Sequence, residues 1–235
     1  MGTGGWAYLP IKAVDKLRAY SKFFNFVEVN STFYFYPKLS TVRSWRRRVP
    51  KDFIFSVKCH RDVTHKYRLR PVEGTFKALD YMFQVCRLLR SDMLVLQTPP
   101  SLSLTNDFIR DLWSLLNNLS PPKIHFIWEV RRPRGKPLPK RLLRLMEDLN
   151  IVQAVDLTRE DPPRGQRIVY SRLFGRGGGS IEPFSDEELE EIFYRISRSR
   201  ALKAVLTFHG ARMYQDALKF KRKFTASRGN ITRLI

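Results

Sequence analysis

The amino-acid sequence predicts an α/β protein built as a single (β/α)8 barrel, and three observations support that prediction. Short apolar runs rich in β-branched and aromatic residues alternate with longer amphipathic stretches, which is typical of a parallel sheet with crossover helices. Seven such runs and one short first segment make eight strands. The chain has 235 residues without a linker rich in proline, glycine or serine. This length is within the range of a single barrel, which typically has about 250 residues.

The individual elements follow from the pattern in chain order. The first strand lies in the short Gly2–Trp6 segment. The other strands are predicted at 26–30, 53–58, 93–97, 125–130, 152–156, 168–173 and 204–208. Apolar residues at helical spacing predict helices at 13–24, 75–89, 107–119, 140–149, 186–198 and 211–224. Ser185 and Glu188 form a capping box, and Ser40 and Asn106 are candidate caps of the helices that follow them.

Composition excludes several classes of protein. Hydrophobic residues make up 43% of the chain, which excludes disorder as its main state. No apolar run is long enough for a transmembrane helix, and the first residues lack the features of a signal peptide. Two cysteines, Cys59 and Cys86, are too few for a disulfide framework or a cysteine-based zinc site. We therefore expect a cytoplasmic protein with no membrane partner, and the sequence leaves the oligomeric state open.

The charge of the chain indicates a polyanionic partner. Lys and Arg number 43 against 22 Asp and Glu, which gives a net charge of +21. Basic clusters lie at 43–51, 58–70, 131–144 and 219–223, and acidic residues gather at 182–191. Because basic proteins attract phosphates through counterion release, nucleic acid is the predicted partner, either DNA or RNA. The alternatives are adhesion to a ribosome or membrane surface and a thermophilic surface, although thermophilic surfaces usually balance their charges in ion-pair networks.

Polar or ionisable residues close almost every predicted strand. The carboxyl ends of barrel strands converge on the face that carries the active site, so we expect these side chains to lie around one cavity. Each residue taken alone could equally be a helix cap or part of a loop ion pair. A mixed ring of such groups is costly unless its members pair with one another or meet a ligand. The candidates with a catalytic role are Glu28, Asn30, Lys58, Gln97, Glu129, Asp156 and His209.

Two kinds of cation among these strand ends have specific alternatives. Lys58 beside Glu28 or Glu129 could act as a base or a Schiff-base nucleophile if burial lowers its pKa, or it could form a structural ion pair. Arg131 and Arg172 offer bidentate forks for phosphate, or they could form structural pairs with Glu129 or Asp156.

Cations and aromatic residues near the same strand ends are the candidates for nucleic-acid binding. Tyr34 and Tyr36 are the preferred residues for stacking on an unpaired base, whereas Phe33 and Trp128 could belong to the core. The glycine-rich loop at 175–179 could present N–H groups to a phosphate, or it could simply be flexible. The full set is Tyr34, Tyr36, Arg61, His65, Lys66, Arg131, Arg132, Arg172 and Arg176.

A site without metal is favoured over a metal centre. Glu28, Glu129, Asp156 and His209 could supply ligands to a divalent cation. The chain has only four histidines, and His125 begins a strand, so it should lie at the opposite end from the others. A multi-zinc centre is therefore disfavoured, a divalent metal is not predicted, and the cofactor is left unknown.

A series of motifs runs along the chain at 2–6, 27–34, 55–58 with Thr64 and His65, 96–101, 128–131, Asp156 and 170–175. In these motifs and in their order the sequence resembles the YecE-like family, catalogued as domain of unknown function 72. The resemblance implies a TIM barrel with a polar cavity at its mouth, and some members of the family are structurally similar to metal-dependent AP endonuclease and sugar isomerase barrels. The family's first strand normally begins several residues earlier, so the first strand here is expected to be short or irregular. Phe174 stands where the family has His, and His209 stands where it has Asn, so no catalytic role is carried over to these positions.

The predicted function is hydrolysis of DNA or RNA at the C-terminal face of the barrel, by phosphodiester cleavage or base removal. In this hypothesis Glu28, Lys58, Glu129 and Asp156 supply the chemistry. The backbone is held by Arg61, Lys66, Arg131, Arg132 and Arg176. The alternatives are a non-catalytic nucleic-acid or ribosome-associated protein and an enzyme acting on a phosphorylated small molecule.

Overall fold

The computed structural model describes residues 1–119, 123–133, 136–175, 181–224 and 233–234. Its strands are β1 (Gly2–Thr3), β2 (Phe26–Val29), β3 (Ile54–Lys58), β4 (Met93–Thr98), β5 (His125–Val130), β6 (Val152–Val155), β7 (Ile168–Leu173), β8 (Lys203–Phe208) and β9 (Arg233–Leu234). Its α-helices are α1 (Lys16–Tyr20), α2 (Leu39–Arg47), α3 (Glu73–Leu89), α4 (Asn106–Asn117), α5 (Lys140–Asp148), α6 (Asp186–Arg198) and α7 (Met213–Phe224).

The strands form a closed parallel barrel, as predicted. Strands β1 to β8 follow one another in chain order, and β1 also pairs with β8. Thr3 lies opposite Val27 of β2 on one side and opposite Phe208 of β8 on the other. The first strand is short, which was also expected. The unpredicted strand β9 pairs in parallel with the beginning of β8, where Lys203 lies opposite Arg233.

Two compact units make up the chain. The first unit comprises Met1–Glu28, Arg47–Ile54 and Ala154–Ile235, and the second comprises Val29–Arg46 and Phe55–Gln153. A single domain stays a prediction. None of the helices among the described residues is long and apolar enough to cross a membrane.

Strand β1 packs closely against the Tyr20 side chain and the backbone of β2 in the first unit. The Tyr20 hydroxyl accepts a hydrogen bond from the Thr3 backbone N–H at 2.9 Å and donates one to the Phe26 carbonyl at 2.9 Å. A Cβ atom on Gly2 would lie 1.9 Å from that carbonyl oxygen and 2.5 Å from the hydroxyl. Only glycine therefore fits at this position of the strand.

The second unit has the buried, apolar strands expected of a parallel sheet that is covered on both faces. All six residues of β4 are buried. Trp128 of β5 is fully buried, and its indole N–H donates to the Thr98 hydroxyl at 3.2 Å. Trp128 is thus a core residue, which the sequence had left open.

Helix boundaries differ from the prediction where side chains cap the backbone. The predicted helix at 13–24 is much shorter, because Asp15 caps the N-terminus of α1 by accepting from the Arg18 N–H. Thr105 rather than Asn106 caps α4, and Ser40 lies inside α2 rather than before it. The capping box of Ser185 and Glu188 is present at the start of α6.

Candidate functional site

A buried ion pair occupies the carboxyl ends of β2 and β7 in the first unit. Arg172 donates from Nη2 to Glu28 Oε1 at 2.9 Å and from Nε to Oε2 at 3.1 Å. The Tyr170 hydroxyl donates to the same Oε2 at 2.8 Å. The Glu28 side chain is fully buried, and that of Arg172 is 3% exposed. The structural-pair alternative for Arg172 is therefore realised, but with Glu28 rather than Glu129 or Asp156.

His209 follows β8 and joins this buried group. Its Nε2 lies 3.8 Å from Glu28 Oε1 and 3.3 Å from the Thr207 hydroxyl. The Phe174 ring stacks on the imidazole with the ring centroids 4.6 Å apart. The Arg172 guanidinium lies 5.3 Å from the same phenyl ring. The two positions that depart from the family pattern are thus in direct contact.

Asp156 follows β6 and is bound by its own loop. One carboxylate oxygen accepts from the Thr158 backbone N–H and hydroxyl, at 3.0 and 2.7 Å. The other accepts from the Phe174 N–H at 3.2 Å and lies 3.4 Å from Arg159 Nε. Burial raises the pKa of Asp156, and these hydrogen bonds oppose that rise. This arrangement fixes the loop, and a catalytic role of Asp156 stays a prediction.

Lys58, Phe33 and His65 pack together in the second unit. The Lys58 ammonium lies 4.3 Å from the centroid of the Phe33 ring, and that ring meets the His65 imidazole edge-on at 5.0 Å. The Lys58 carbonyl accepts from the Thr32 hydroxyl at 2.6 Å, which anchors the short 3-10 helix Ser31–Phe33 beside β3. Phe33 thus positions a cation and an imidazole.

His65 lies on a π-helical turn, Asp62–Lys66, which the sequence did not predict. Its Nδ1 is 2.9 Å from the Thr64 hydroxyl. Burial lowers the pKa of His65, and the nearby charges of Lys58, Arg131 and Arg61 lower it further. The imidazole is therefore neutral at neutral pH, and it is surrounded by positive charge. We call Lys58, Arg61, His65 and Arg131 the cationic cluster.

Glu129 and Arg131 at the end of β5 form a pair of their own. Arg131 Nε donates to Glu129 Oε1 at 2.8 Å, and the Arg131 side chain is 44% exposed. Gln97 lies opposite Glu129 in the β4–β5 register and is buried. Asn30 is half-buried at the start of the 3-10 helix, and it makes no side-chain capping bond there.

The two tyrosines predicted to stack on bases differ in their surroundings. Tyr34 is 66% exposed, with its ring edge-on to Phe33. Tyr36 already stacks on the His60 imidazole at 3.7 Å, and its hydroxyl donates to Asp62 at 2.9 Å. Tyr34 is therefore the more available of the two rings.

The remaining candidates lie on loops. Arg61 and Lys66 are exposed, and the Lys66 ammonium lies 4.9 Å from the Tyr67 ring centroid. Arg132 Nε donates to the Lys136 carbonyl at 2.6 Å. Arg176 and the glycines that follow it lie outside the described residues.

Glu28, one of the four residues considered as metal ligands, is already engaged by other side chains. Both oxygens of Glu28 accept hydrogen bonds, and the Arg172 guanidinium already balances its charge. Within the described ranges, no three His, Cys, Asp or Glu residues are grouped so that they could hold a metal ion.

Tyr170 is the participant that the sequence analysis missed. It stands two residues before Arg172 on β7, so both side chains point to the same face of the sheet. That alternation was the available signal. The signal is weak, because a tyrosine within an apolar strand usually indicates core packing rather than a hydrogen bond to a distant carboxylate.

Comparison with known proteins places the chain in a sequence family. Residues 1–233 match the sequence model of a family described as "Protein of unknown function DUF72". The curated protein UPF0759 protein YecE of Escherichia coli K12 is 28% identical over 130 residues. That match covers 55% of this chain and only 45% of the length of the relative.

Several solved structures share the fold. A DUF72 family protein from Enterococcus faecalis V583 has a TM-score of 0.73 at 16% identity, covering 98% of this chain and 96% of that one. One from Thermotoga maritima has a TM-score of 0.71 at 21% identity, covering 95% and 98%. An AP endonuclease of family 2 from Brucella melitensis has a TM-score of 0.55 at 11% identity, covering 97% of each chain. At such identities the likeness concerns the fold alone.

Proposed function

We propose, from the premise that the chain belongs to the DUF72 family of proteins of unknown function, that it binds nucleic acid and cleaves its phosphodiester backbone. The observation that carries this proposal is the cationic cluster, in which a neutral imidazole lies among three cations. A phosphodiester is the anion that such a group suits, and the net charge of +21 favours a polyanion over a small metabolite.

The position of Lys58 supports an electrostatic role. Lys58 is only 7% exposed, and the Phe33 ring holds its ammonium at 4.3 Å. A cation that is fixed and largely shielded from water stabilises developing negative charge more strongly than a mobile surface lysine. Lys58 and Arg131 are therefore proposed to bind the phosphate oxygens and to stabilise the charge that grows on them as the nucleophile attacks.

His65 is proposed as the general base. Its lowered pKa keeps the ring neutral, and its contact with Thr64 engages Nδ1. Nε2 is then the atom that accepts the proton from the attacking water or 2′-hydroxyl. The new O–P bond forms as the bond to the leaving oxygen breaks, and that oxygen takes a proton from solvent. A base in this position contributes about 10²–10⁴ to the rate.

Tyr34 is proposed to stack on a base next to the scissile phosphate. Its exposed ring meets Phe33, which also contacts Lys58 and His65. Stacking on aromatic rings is tolerant of sequence and requires an unpaired base. The proposal therefore favours single-stranded substrates or duplexes with a displaced base.

The test combines binding and cleavage of labelled single- and double-stranded DNA and RNA over a salt series, with and without a chelator. We expect micromolar or tighter binding that weakens steeply with salt. His65→Gln and Lys58→Met should each lower cleavage by at least about 100-fold. Lys77→Met, which removes an exposed charge on α3, is the matched control. Absence of binding, or equal cleavage by all three variants, would overturn the proposal.

A nucleic-acid-binding protein without turnover is the second candidate, and one observation favours it. Glu28, a predicted catalytic carboxylate, is fully buried and bound to Arg172 and Tyr170, which is the arrangement of a structural residue. This candidate predicts salt-dependent binding by the wild type, no cleavage of any substrate, and weaker binding by Lys58→Met.

A further inference from the structure

A cationic cavity lies in the first unit, away from the strand ends discussed above. It has a volume of about 660 Å³ and lies between the segment that precedes β7 and the end of α6. Its lining includes Arg164, Arg167, Arg195, Arg198 and Arg200, which we call the arginine groove. The backbone N–H of Leu202 donates to the Arg167 carbonyl at 2.9 Å, which holds the two segments together.

The arginine groove is separate from the buried group around Glu28. Arg167 and Leu202 immediately precede β7 and β8, at the amino ends of these strands. Arg172 and His209 lie at the carboxyl ends of the same two strands. The two sets of residues are thus separated by the length of a strand.

Three of the five arginines in the groove have no counter-ion among the residues that the structure describes. Arg195 pairs with Glu191 at 2.7 Å and with Asp161 at 3.5 Å. Arg164, Arg167 and Arg200 are exposed, and within the described part of the chain no carboxylate pairs with any of them. Three guanidinium groups around one cavity can donate in fork geometry to several anionic oxygens at once.

Two buried polar atoms of the groove have no hydrogen-bond partner among the described residues. They are Arg195 Nη1, a donor, and Gln166 Oε1, an acceptor. Buried polar atoms are normally bonded in folded proteins, so an orphaned pair beside a cavity points to a ligand that has both an anionic oxygen and an N–H group. A nucleotide carries both groups, in its phosphate and its base.

An aromatic ring completes the lining. Tyr194 is 53% exposed. Arg198 donates to its hydroxyl at 2.9 Å, and the guanidinium lies 5.2 Å from the ring centroid. A tyrosine held by an arginine beside other arginines combines phosphate binding with a surface on which an unpaired base can stack.

We propose that the arginine groove binds a single-stranded nucleic acid, with the backbone phosphates on Arg164, Arg167 and Arg200 and one base on Tyr194. A single strand suits it because a base must leave its stack to reach the tyrosine. The groove shares its class of ligand with the function proposed above, but it rests on different residues and does not require cleavage.

The test is fluorescence anisotropy with a labelled single-stranded oligonucleotide over a salt series. The groove variant carries Arg164→Gln, Arg167→Gln and Arg200→Gln. The control variant carries Arg43→Gln, Arg141→Gln and Arg144→Gln, which also removes three exposed charges. We expect the groove variant to bind at least about tenfold more weakly, with a salt slope lower by about two, and the control to change by less than about threefold.

Equal losses in the two variants would overturn the inference, because net charge alone would then explain the binding. Failure of the wild type to bind the oligonucleotide would also overturn it. A groove that binds pyrophosphate but not the oligonucleotide is a small-anion site, which contradicts the proposal as well. The cleavage rate at saturating substrate separates the two proposals. If the groove variant binds weakly and the wild type cleaves nothing, the result supports nucleic-acid binding by the arginine groove and overturns the proposed hydrolase activity.

Discussion

The buried ion pair of Arg172 and Glu28 stabilises the fold and occupies a carboxylate that was predicted to be catalytic. Guanidinium and carboxylate meet in a bidentate arrangement, and both side chains are buried. Replacing a whole buried pair by apolar residues is often neutral, whereas removing one partner leaves an uncompensated charge. Both carboxylate oxygens of Glu28 are therefore occupied by hydrogen bonds from its neighbours.

Arg172→Met should destabilise the protein strongly. We expect a loss of about 3–5 kcal/mol in the free energy of unfolding, because Glu28 would keep a buried charge without its partner. Urea denaturation measures the loss. Arg110→Met is the matched control, since both side chains of its pair with Asp107 are exposed and its loss should change stability by about 0–1 kcal/mol. Similar losses in the two variants would show that the buried pair of Arg172 stabilises the protein no more than an exposed pair does.

The sequence identified Arg172 and Glu28 as separate candidates but did not join them. Arg172 was predicted to bind phosphate, with a structural pair to Glu129 or Asp156 as the alternative. Which strand ends meet depends on the registers of the sheet, and residue types do not reveal these. The same limit explains why Tyr170 was missed.

At the scale of single elements, the sequence predicted the bounds of a helix correctly where a side chain caps its N-terminus. The capping box at Ser185 was read from two residues, and α6 has the predicted bounds of Asp186–Arg198. Strands β5 and β7 also have their predicted bounds, since β-branched and aromatic residues mark both. The π-helical turn at Asp62–Lys66 and the two-residue β9 were missed, because segments that short carry no periodicity.

Ser185→Ala should weaken the start of α6. The serine hydroxyl accepts from the Glu188 N–H at 3.2 Å, and the Glu188 carboxylate accepts from the Ser185 N–H at 3.0 Å. Loss of such a cap costs about 1 kcal/mol. Thermal or urea unfolding would measure it against Ser197→Ala, an exposed position later in the same helix that should change stability by less than about 0.5 kcal/mol. If the two variants unfold alike, the cap contributes nothing.

At the scale of the whole molecule, the free energy of unfolding should depend on pH through His60, which is buried, and His65, which is half-buried. Burial lowers the pKa of both His60 and His65 from an ordinary value of 6.5. The unfolded chain therefore binds more protons than the folded one below that pH. The stability contributed by the neutral rings is complete above pH 6.5 and is lost as pH falls towards their folded pKa values.

Acidification from pH 7.5 to 5.5 should thus lower the free energy of unfolding, as measured by urea denaturation. Asp156 and Asp216 act in the opposite sense, because burial raises the pKa of both above 3.8. His60→Gln and His65→Gln together should flatten the dependence between pH 7.5 and 5.5. An unchanged slope in that double variant would assign the acid sensitivity to other groups.

The barrel as a whole was predictable because a repeated pattern survives local errors. Missing a cap or misplacing a helix end by several residues, as at α1, does not change the alternation of strand and helix. The candidate site was predictable in its residue types and not in its pairings. Both the cationic cluster and the buried group of Glu28 depend on contacts between residues that are far apart in the chain.

The two-residue strand β1 has a consequence for the order in which the protein assembles. Its second partner, β8, is about 200 residues later in the chain, and contacts of such separation form late because loop closure must come first. A chain emerging from the ribosome therefore carries Gly2 and Thr3 with one edge unpaired until Thr207 and Phe208 have been synthesised. Until that moment the sheet is an open ribbon, and its exposed edges make this interval the one most vulnerable to aggregation.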